Sequence, residues 1–388
     1  MKIAWNALFF AYWKPIMPEA LDDKKRMIGG GETAVIELTE AMAELGHEVH
    51  VYGHCPDKPK KVWDSKVYPR GKGKLIWHRA EKWVEDHNKP FDVLVVCEDS
   101  HWFHQTNAKL NVMHIQLNHP TIIPELVESV NLYVCVSGWH MQSVLQLYPW
   151  MAKDSALVTH LPEAINLKYS QAAKHIEKTK NRVVYASSPD RGLHHFLEIW
   201  PRVKAKVPNA ELHVYYGALN WATQASHLME EQGLAALKIL ELERREDVYF
   251  YPPMDKWTLA EEMQKACILA YPCDTVLPSE GYCITILLAN AAGTPVVTTD
   301  CDAFGEVHSR YSAMLPLPLN AEDFADAIIE LLTDKTAWRT YSVRGLRRTR
   351  ECTWDKVALK WEKLFLEGLA HVNKARRSDT RQERQAVT

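Results

Sequence analysis

The sequence predicts an α/β protein built from two Rossmann-like, doubly wound domains in series. Three observations carry that expectation. Short apolar runs alternate with amphipathic helical stretches through the first half. The same alternation restarts at Arg182, after the polar stretch Ser170–Asn181. The 388 residues suffice for about two domains, each burying a core of its own. With 47% hydrophobic and 24% charged residues, the chain is neither disordered nor fibrous in composition. It has no apolar run of membrane-spanning length, and the opening MKIAWNALFFAYWKP is read as a first buried strand rather than a signal peptide. Cys97 and Cys135 fall inside apparent strands, which suits reduced core thiols in a cytoplasmic protein; peripheral attachment to a membrane is the alternative. Cys267 and Cys273 have no His or Cys partner at zinc spacing, so no metal site is expected.

In the first half, KIAWNAL, HEVHVYG, FDVLVVC, LNVMHIQL and LYVCVS each read as a buried parallel strand. Between the first two lies a glycine turn, an amphipathic helix and Gly46 as its stop. The turn, Gly29-Gly30-Gly31, is not the spaced dinucleotide fingerprint. It serves either as a tight strand-to-helix turn or as a close backbone approach to a phosphate or sugar. In the second half RVVYASS, a helix with AELHVYYG, DVYFYPPM and LAEEMQKACILAYP continue the strand-helix series.

Pro278 to Asp300, reading PSEGYCITILLANAAGTPVVTTD, is the most informative stretch. A carboxylate, a Gly-aromatic pair and an apolar helical run precede a Val-Val strand. That order sets a helix N-terminus, with unpaired N–H groups and the positive dipole end, at the mouth of a parallel sheet. Such a site suits a diphosphate, with Glu280 taking sugar hydroxyls. Asp300-Cys301-Asp302 puts an acidic pair directly after the Val-Val strand.

The stretch closely resembles the donor-site motif of the retaining glycosyltransferases of family 4, which have the GT-B fold. Glu280, Gly281, Tyr282, Ala289, Gly293, Pro295, Val296 and Val297 fall in register with that motif, whereas Leu288 stands where the family has a second Glu. The resemblance implies two Rossmann-like domains facing a central cleft: 1–170 on the acceptor side and 171–350 binding the nucleotide sugar. It also implies a helix over 351–373 crossing back to the first domain; the polar stretch 374–388 is expected to be disordered. A nucleotide-diphosphate sugar is the implied donor, with no metal or other cofactor required; Asp300-Cys301-Asp302 spells the acidic pair of metal-dependent glycosyltransferases but stands where the family has a connecting loop, and is read as structural.

The resemblance also assigns residues. Arg191, in SSPDRGL, stands where the family has a Lys-Gly or Arg-Gly pair; it can chelate phosphate oxygens and keeps its proton. The family's earlier phosphate Arg is missing, and Ser187 and Ser188 occupy that region. The loop at Pro253 and Met254 is implied to meet the base, Gly30 and Gly31 the donor phosphates, and Gly281 to Ile284, including Tyr282 and Cys283, the helix start beside them. His119 is the implied histidine near donor sugar and acceptor, with His114 the alternative. Ser137 is either an N-cap or a ligand. The implied catalytic set is therefore His119, Arg191 and Glu280.

One stretch of the acceptor side is strongly basic. Between Lys58 and Lys82 stand Lys58, Lys60, Lys61, Lys66, Arg70, Lys72, Lys74, Arg79 and Lys82, against Asp64 and Glu81. Trp63, Tyr68 and Trp77 are interleaved with them. In a chain of net charge −3 this stretch is either an ordinary solvated face or a surface for a polyanion, a membrane face or a nucleic acid. Lys72 and Lys74 are its candidates for acceptor contact. The leading expectation is a metal-independent retaining glycosyltransferase acting on a hydroxyl of a lipid, saccharide or other glycoconjugate. The alternatives are transfer to a hydroxymethylated base in DNA and, from Leu288 and the missing Arg, a non-catalytic relative.

Overall fold

The computed structural model describes residues 1–11, 16–23, 28–54, 65–152, 157–227, 231–274 and 279–386. They form two compact units: Met1–Ala20, Gly29–Glu163 and Trp354–Thr388 make the first, Leu21–Ile28 and Ala164–Thr353 the second. Lys58, Lys60, Lys61, Trp63 and Pro278 lie outside the described residues.

The first unit carries eight strands: β1 Lys2–Asn6, β2 Glu48–His54, β3 Ser65–Arg70, β4 Gly73–Arg79, β5 Val93–Cys97, β6 Leu110–His114, β7 Leu132–Cys135 and β8 Leu157–His160. Their order is β3-β4-β2-β1-β5-β6-β7-β8. Every pair is parallel except β3 against β4. The sheet turns about β1 and β5, whose connections run to opposite sides, so a crevice opens at the carboxyl ends of those two strands. The helix Gly30–Glu44 follows β1. Its first turn is closed by Thr33, whose N–H and hydroxyl both donate to the Gly29 carbonyl, at 3.1 and 2.6 Å. It ends at Gly46, which takes φ +104° and donates to the Ala43 carbonyl.

The five strands expected here are present. The described part of the basic stretch, from Ser65, holds the hairpin β3–β4, with β3 at the sheet edge, exposed over most of its length. Lysine and proline on an outer strand blunt pairing with another chain, which gives Lys66 and Pro69 a structural reason.

The second unit carries β9 Arg182–Tyr185, β10 Glu211–Val214, β11 Val248–Phe250, β12 Ile268–Tyr271, β13 Val296–Thr299 and β14 Ala313–Leu315. All pairs are parallel, in the order β11-β10-β9-β12-β13-β14. Numbered within the unit this is 3-2-1-4-5-6, the nucleotide-binding Rossmann order, which reverses between β9 and β12.

Three expected boundaries shift. The second unit begins at Ala164, because helix Lys168–Ala173 packs on helix Lys256–Lys265: Tyr169 and Ala173, one turn apart, are buried, and Tyr169 meets the Trp257 ring edge-on at 4.8 Å. Two apolar residues in a polar run were enough to dock it. The segment Leu21–Ile28 also groups with the second unit, where the Trp257 indole N–H donates to Asp22 at 3.1 Å. The last helix spans Trp354–Ala386 and belongs to the first unit, so it continues where a disordered stretch was expected from 374. Residues 374–386 are polar but rich in Arg, Gln, Glu and Ala, which favour helix, and hold no Gly or Pro.

Candidate active site

In the second unit the loops after β9 and β12 meet. Gly192 takes φ +90°, and a Cβ there would lie 1.8 Å from the Pro272 carbonyl oxygen, so only glycine lets the Arg191 turn approach the end of β12. A hydrogen-bonded chain crosses the junction. The Ser187 hydroxyl donates to the Tyr271 oxygen at 2.7 Å, and the Tyr271 hydroxyl donates to Glu280 Oε1 at 2.6 Å. Arg191 Nη1 donates to the same carboxylate oxygen. Burial pushes the Glu280 carboxyl up, against the opposing pull of Arg191 and Tyr271. Burial also opposes the Arg191 charge, and facing Glu280 more than offsets it, so the guanidinium is held protonated. Its Nε, buried as well, meets no acceptor among the described residues. The guanidinium therefore has donors left for an anion.

Asp302 straps the motif in place. Its Oδ2 accepts from the N–H groups of Ser279 and Glu280, at 2.9 and 3.0 Å. His308 Nε2 donates to the Tyr282 carbonyl at 2.6 Å. The acidic pair read as structural thus has Asp302 in that role. Cys283 takes φ +71° and precedes helix Ile284–Ala291, whose start has no side-chain cap. Gly281 and Tyr282 are buried there, Cys283 and Ile284 half-buried, and burial and Glu280 push the Cys283 thiol up. Leu288, one turn further on, is buried. Met254 is half-buried in the loop after β11; Pro253 in that loop is where a Cβ on Gly217 would strike, at 2.8 Å.

Tyr271 escaped the sequence reading, although an aromatic residue closing the strand ILAY was a usable signal. Tyr271→Phe removes one of two donors to a buried carboxylate, at a cost of about 1–2 kcal/mol. We expect roughly a five- to thirtyfold fall in kcat/KM for the donor. A value within twofold of the wild type would show that Tyr271 does not hold Glu280 for the reaction.

The first unit has a polar cluster at the carboxyl ends of β5 and β6. Glu98, wholly buried with φ +63°, accepts from the Gln116 N–H at 2.6 Å. Burial pushes its carboxyl up to about 8, and burial does the same to Glu163. His114 Nε2 lies 3.9 Å from Glu163, and burial lowers His114 to about 3, keeping it neutral. The His114 ring meets Trp361 of the last helix at 4.9 Å. Gly31 belongs to the same end: a Cβ there would lie 2.6 Å from Gln116 Oε1 and 2.8 Å from the Phe10 ring. Gly30 is exposed at the helix start. Gln116, Glu98 and Glu163 were missed; the sign available was an acidic residue directly after VLVVC.

The histidine expectation divides. His119 is exposed beyond the strand end, while His114, the alternative, is the one packed into the cluster. Ser137 is an N-cap, its hydroxyl accepting from the His140 N–H at 3.0 Å. Lys72 and Lys74 do not join the cluster. Lys74 pairs with Glu48 at the amino end of β4, and Lys72 sits in the turn before it, at the sheet edge opposite His114. Other cations of the hairpin region are paired too: Lys66 with Glu19, Arg70 with Glu40, Arg79 with Glu81 and Lys82 with Glu85.

Residues 180–334, which hold β9 through β14 and the whole Arg191–Tyr271–Glu280 network, match the family Glycosyl transferases group 1. The chain carries a glycosyl transferase group 1 domain. The phosphatidyl-myo-inositol mannosyltransferase of Mycolicibacterium smegmatis is similar, 22% identical over 376 residues, which cover 87% of this chain and 90% of that protein. Among solved structures, a sucrose-phosphate synthase from Thermosynechococcus elongatus superposes with a TM-score of 0.65 at 18% identity, over 96% of this chain and all of that one. A glycosyltransferase involved in avilamycin A biosynthesis gives 0.62 at 15% identity, over 96% and 98%. These likenesses show the GT-B fold. With an activity of this family the transferase uses nucleotide-sugar donors, and the non-catalytic reading is set aside. Among the described residues no helix is long and apolar enough to cross a membrane.

Proposed function

We propose that the transferase moves a hexosyl group from a nucleotide-diphosphate donor to a hydroxyl of a lipid or saccharide, with retention and without a metal ion in the reacting step. The observation that carries this is the Arg191–Glu280–Tyr271 network beside an uncapped helix start at the β9/β12 switch point. Developing charge on a departing diphosphate meets a fixed cation and backbone N–H groups. Glu280 is engaged by Arg191 and Tyr271 and is poorly placed to act as a nucleophile, which disfavours a covalent glycosyl-enzyme. The simplest step breaks the C1–O bond to phosphate and forms the bond to the acceptor oxygen on the same face. The acceptor proton passes to the leaving phosphate oxygen. His114, His119 and Gln116 are proposed as the first unit's candidates for acceptor contact.

A lipid acceptor is favoured by the likeness to the mannosyltransferase. The DNA alternative rested on the basic stretch, whose described cations are largely matched by carboxylates. With Leu288 apolar and buried, weak selectivity for the nucleotide is part of the proposal. Thermal shifts with UDP-, GDP- and ADP-sugars name the donor, and proton NMR of the product reads the new anomeric centre. Turnover within twofold after EDTA treatment is expected. An inverted centre would overturn retention, and lost turnover would overturn metal independence.

A further inference from the structure

A second constellation lies on the same two loops and has no part in that chemistry. His194 and His195 form the short turn after Gly192, and Asp274 follows β12 by three residues. One ligand atom from each lies within 4.8 Å of the others, and this is the one such trio of His, Cys, Asp or Glu among the described residues. His195 Nε2 meets Asp274 Oδ2, and the two imidazole rings stand 4.0 Å apart, inclined by 37°. His194 Nδ1 is buried without a partner among the described residues. An unmatched imidazole nitrogen next to a His–carboxylate pair is short of one electrophile.

We infer that His194, His195 and Asp274 form a binding site for a borderline divalent cation of the zinc type. Two imidazole nitrogens and one carboxylate oxygen are the donors that class prefers, and three protein ligands leave a further position for water. Donors about 2.1 Å from one ion lie at most about 4.2 Å apart, so a small side-chain rotation closes the set. The backbone is already fixed for it, since Gly192 packs directly on Pro272 and Cys273. A bound ion ties the His194–His195 turn to the end of β12, a junction that the Gly192 packing already holds, so its loss lowers the melting temperature and leaves turnover unchanged. The inference is independent of the donor reading, and the ion takes no part in the reacting step.

The test uses the full chain, stripped with EDTA and desalted, titrated with zinc chloride and separately with cobalt chloride. One equivalent is expected to bind, raising the melting temperature, and the cobalt spectrum should show d–d bands without thiolate charge-transfer absorption. His195→Ala and Asp274→Asn should each weaken zinc binding by at least about tenfold and abolish the thermal shift. Because either variant could misfold, diethylpyrocarbonate labelling of the wild type gives a second reading: zinc should protect His194 and His195 and leave exposed His101 labelled. No binding, cobalt–thiolate absorption, unchanged affinity in folded variants, or unprotected His194 and His195 would each overturn the site.

Discussion

Arg191→Ala is expected to lower kcat/KM for the donor by about 30- to 1,000-fold, the loss of roughly 2–4 kcal/mol of transition-state stabilisation. The same substitution strands a carboxylate. The Glu280 side chain is 3% exposed, against 30% for Arg191. Breaking a buried pair from one side costs about 3–5 kcal/mol, and partial access of water to the Arg191 position moves this case toward the lower figure. Activity and melting temperature should therefore fall together. Adding Glu280→Gln separates them: it removes the stranded charge and should restore most of the melting temperature without restoring turnover. Arg191→Ala with turnover within about threefold of the wild type would sink the phosphate role. Full thermal rescue together with recovered turnover would reduce Arg191 to a scaffold partner.

Gly192→Ala should be the most damaging single methyl in the second unit. The obstacle is the backbone oxygen of Pro272 at 1.8 Å, and the residue also sits at φ +90°, where an L side chain is strained. Neither can be relieved by a rotamer change. We expect about 2–3 kcal/mol of destabilisation, a fall in melting temperature of about 5–10 °C. Gly293→Ala is the internal comparison. That glycine is also left-handed, at φ +65°, but a Cβ would meet the side chains of Leu346 and Ser342 at 3.3 Å, and these can give way. It should cost visibly less. Equal melting of Gly192→Ala and wild type would mean that the two loops are not held as closely as the structure has them.

The Arg191–Glu280 corner of the second unit was legible because its information is local. Glu280, Gly281 and Tyr282 precede an apolar helix in one uninterrupted run, and the Arg191-Gly192 turn directly follows a strand. The partners that complete the site were not legible, because they arrive from other strands. The aromatic end of ILAY marks Tyr271 as a strand-end residue, but it does not say that the hydroxyl bridges Ser187, 84 positions before it, and Glu280. The first unit was harder for the same reason. His119 was preferred over His114 on order along the strand, whereas burial depends on Trp361, 247 positions later, closing over His114 (361 − 114). Lys72 and Lys74 were chosen for charge. Parallel register with Glu48 puts them at the wrong end of the sheet, a fact that composition does not contain.

The helix Trp354–Ala386 has a consequence for how the molecule comes into being. Its Trp361 rests on Trp5 at 5.6 Å, Phe365 is wholly buried, and Gly368 lies against Leu110. The core of the first unit is thus finished by residues translated after the whole of the second. On the ribosome the second unit can close as soon as its own strands have emerged, whereas the earlier-made sheet waits with an apolar surface open. The order of synthesis and the order of completion are reversed. A nascent chain stalled before Trp354 would carry a finished second unit and an unfinished first one, and the exposed surface around Trp5 and Leu110 is where a chaperone would first take hold.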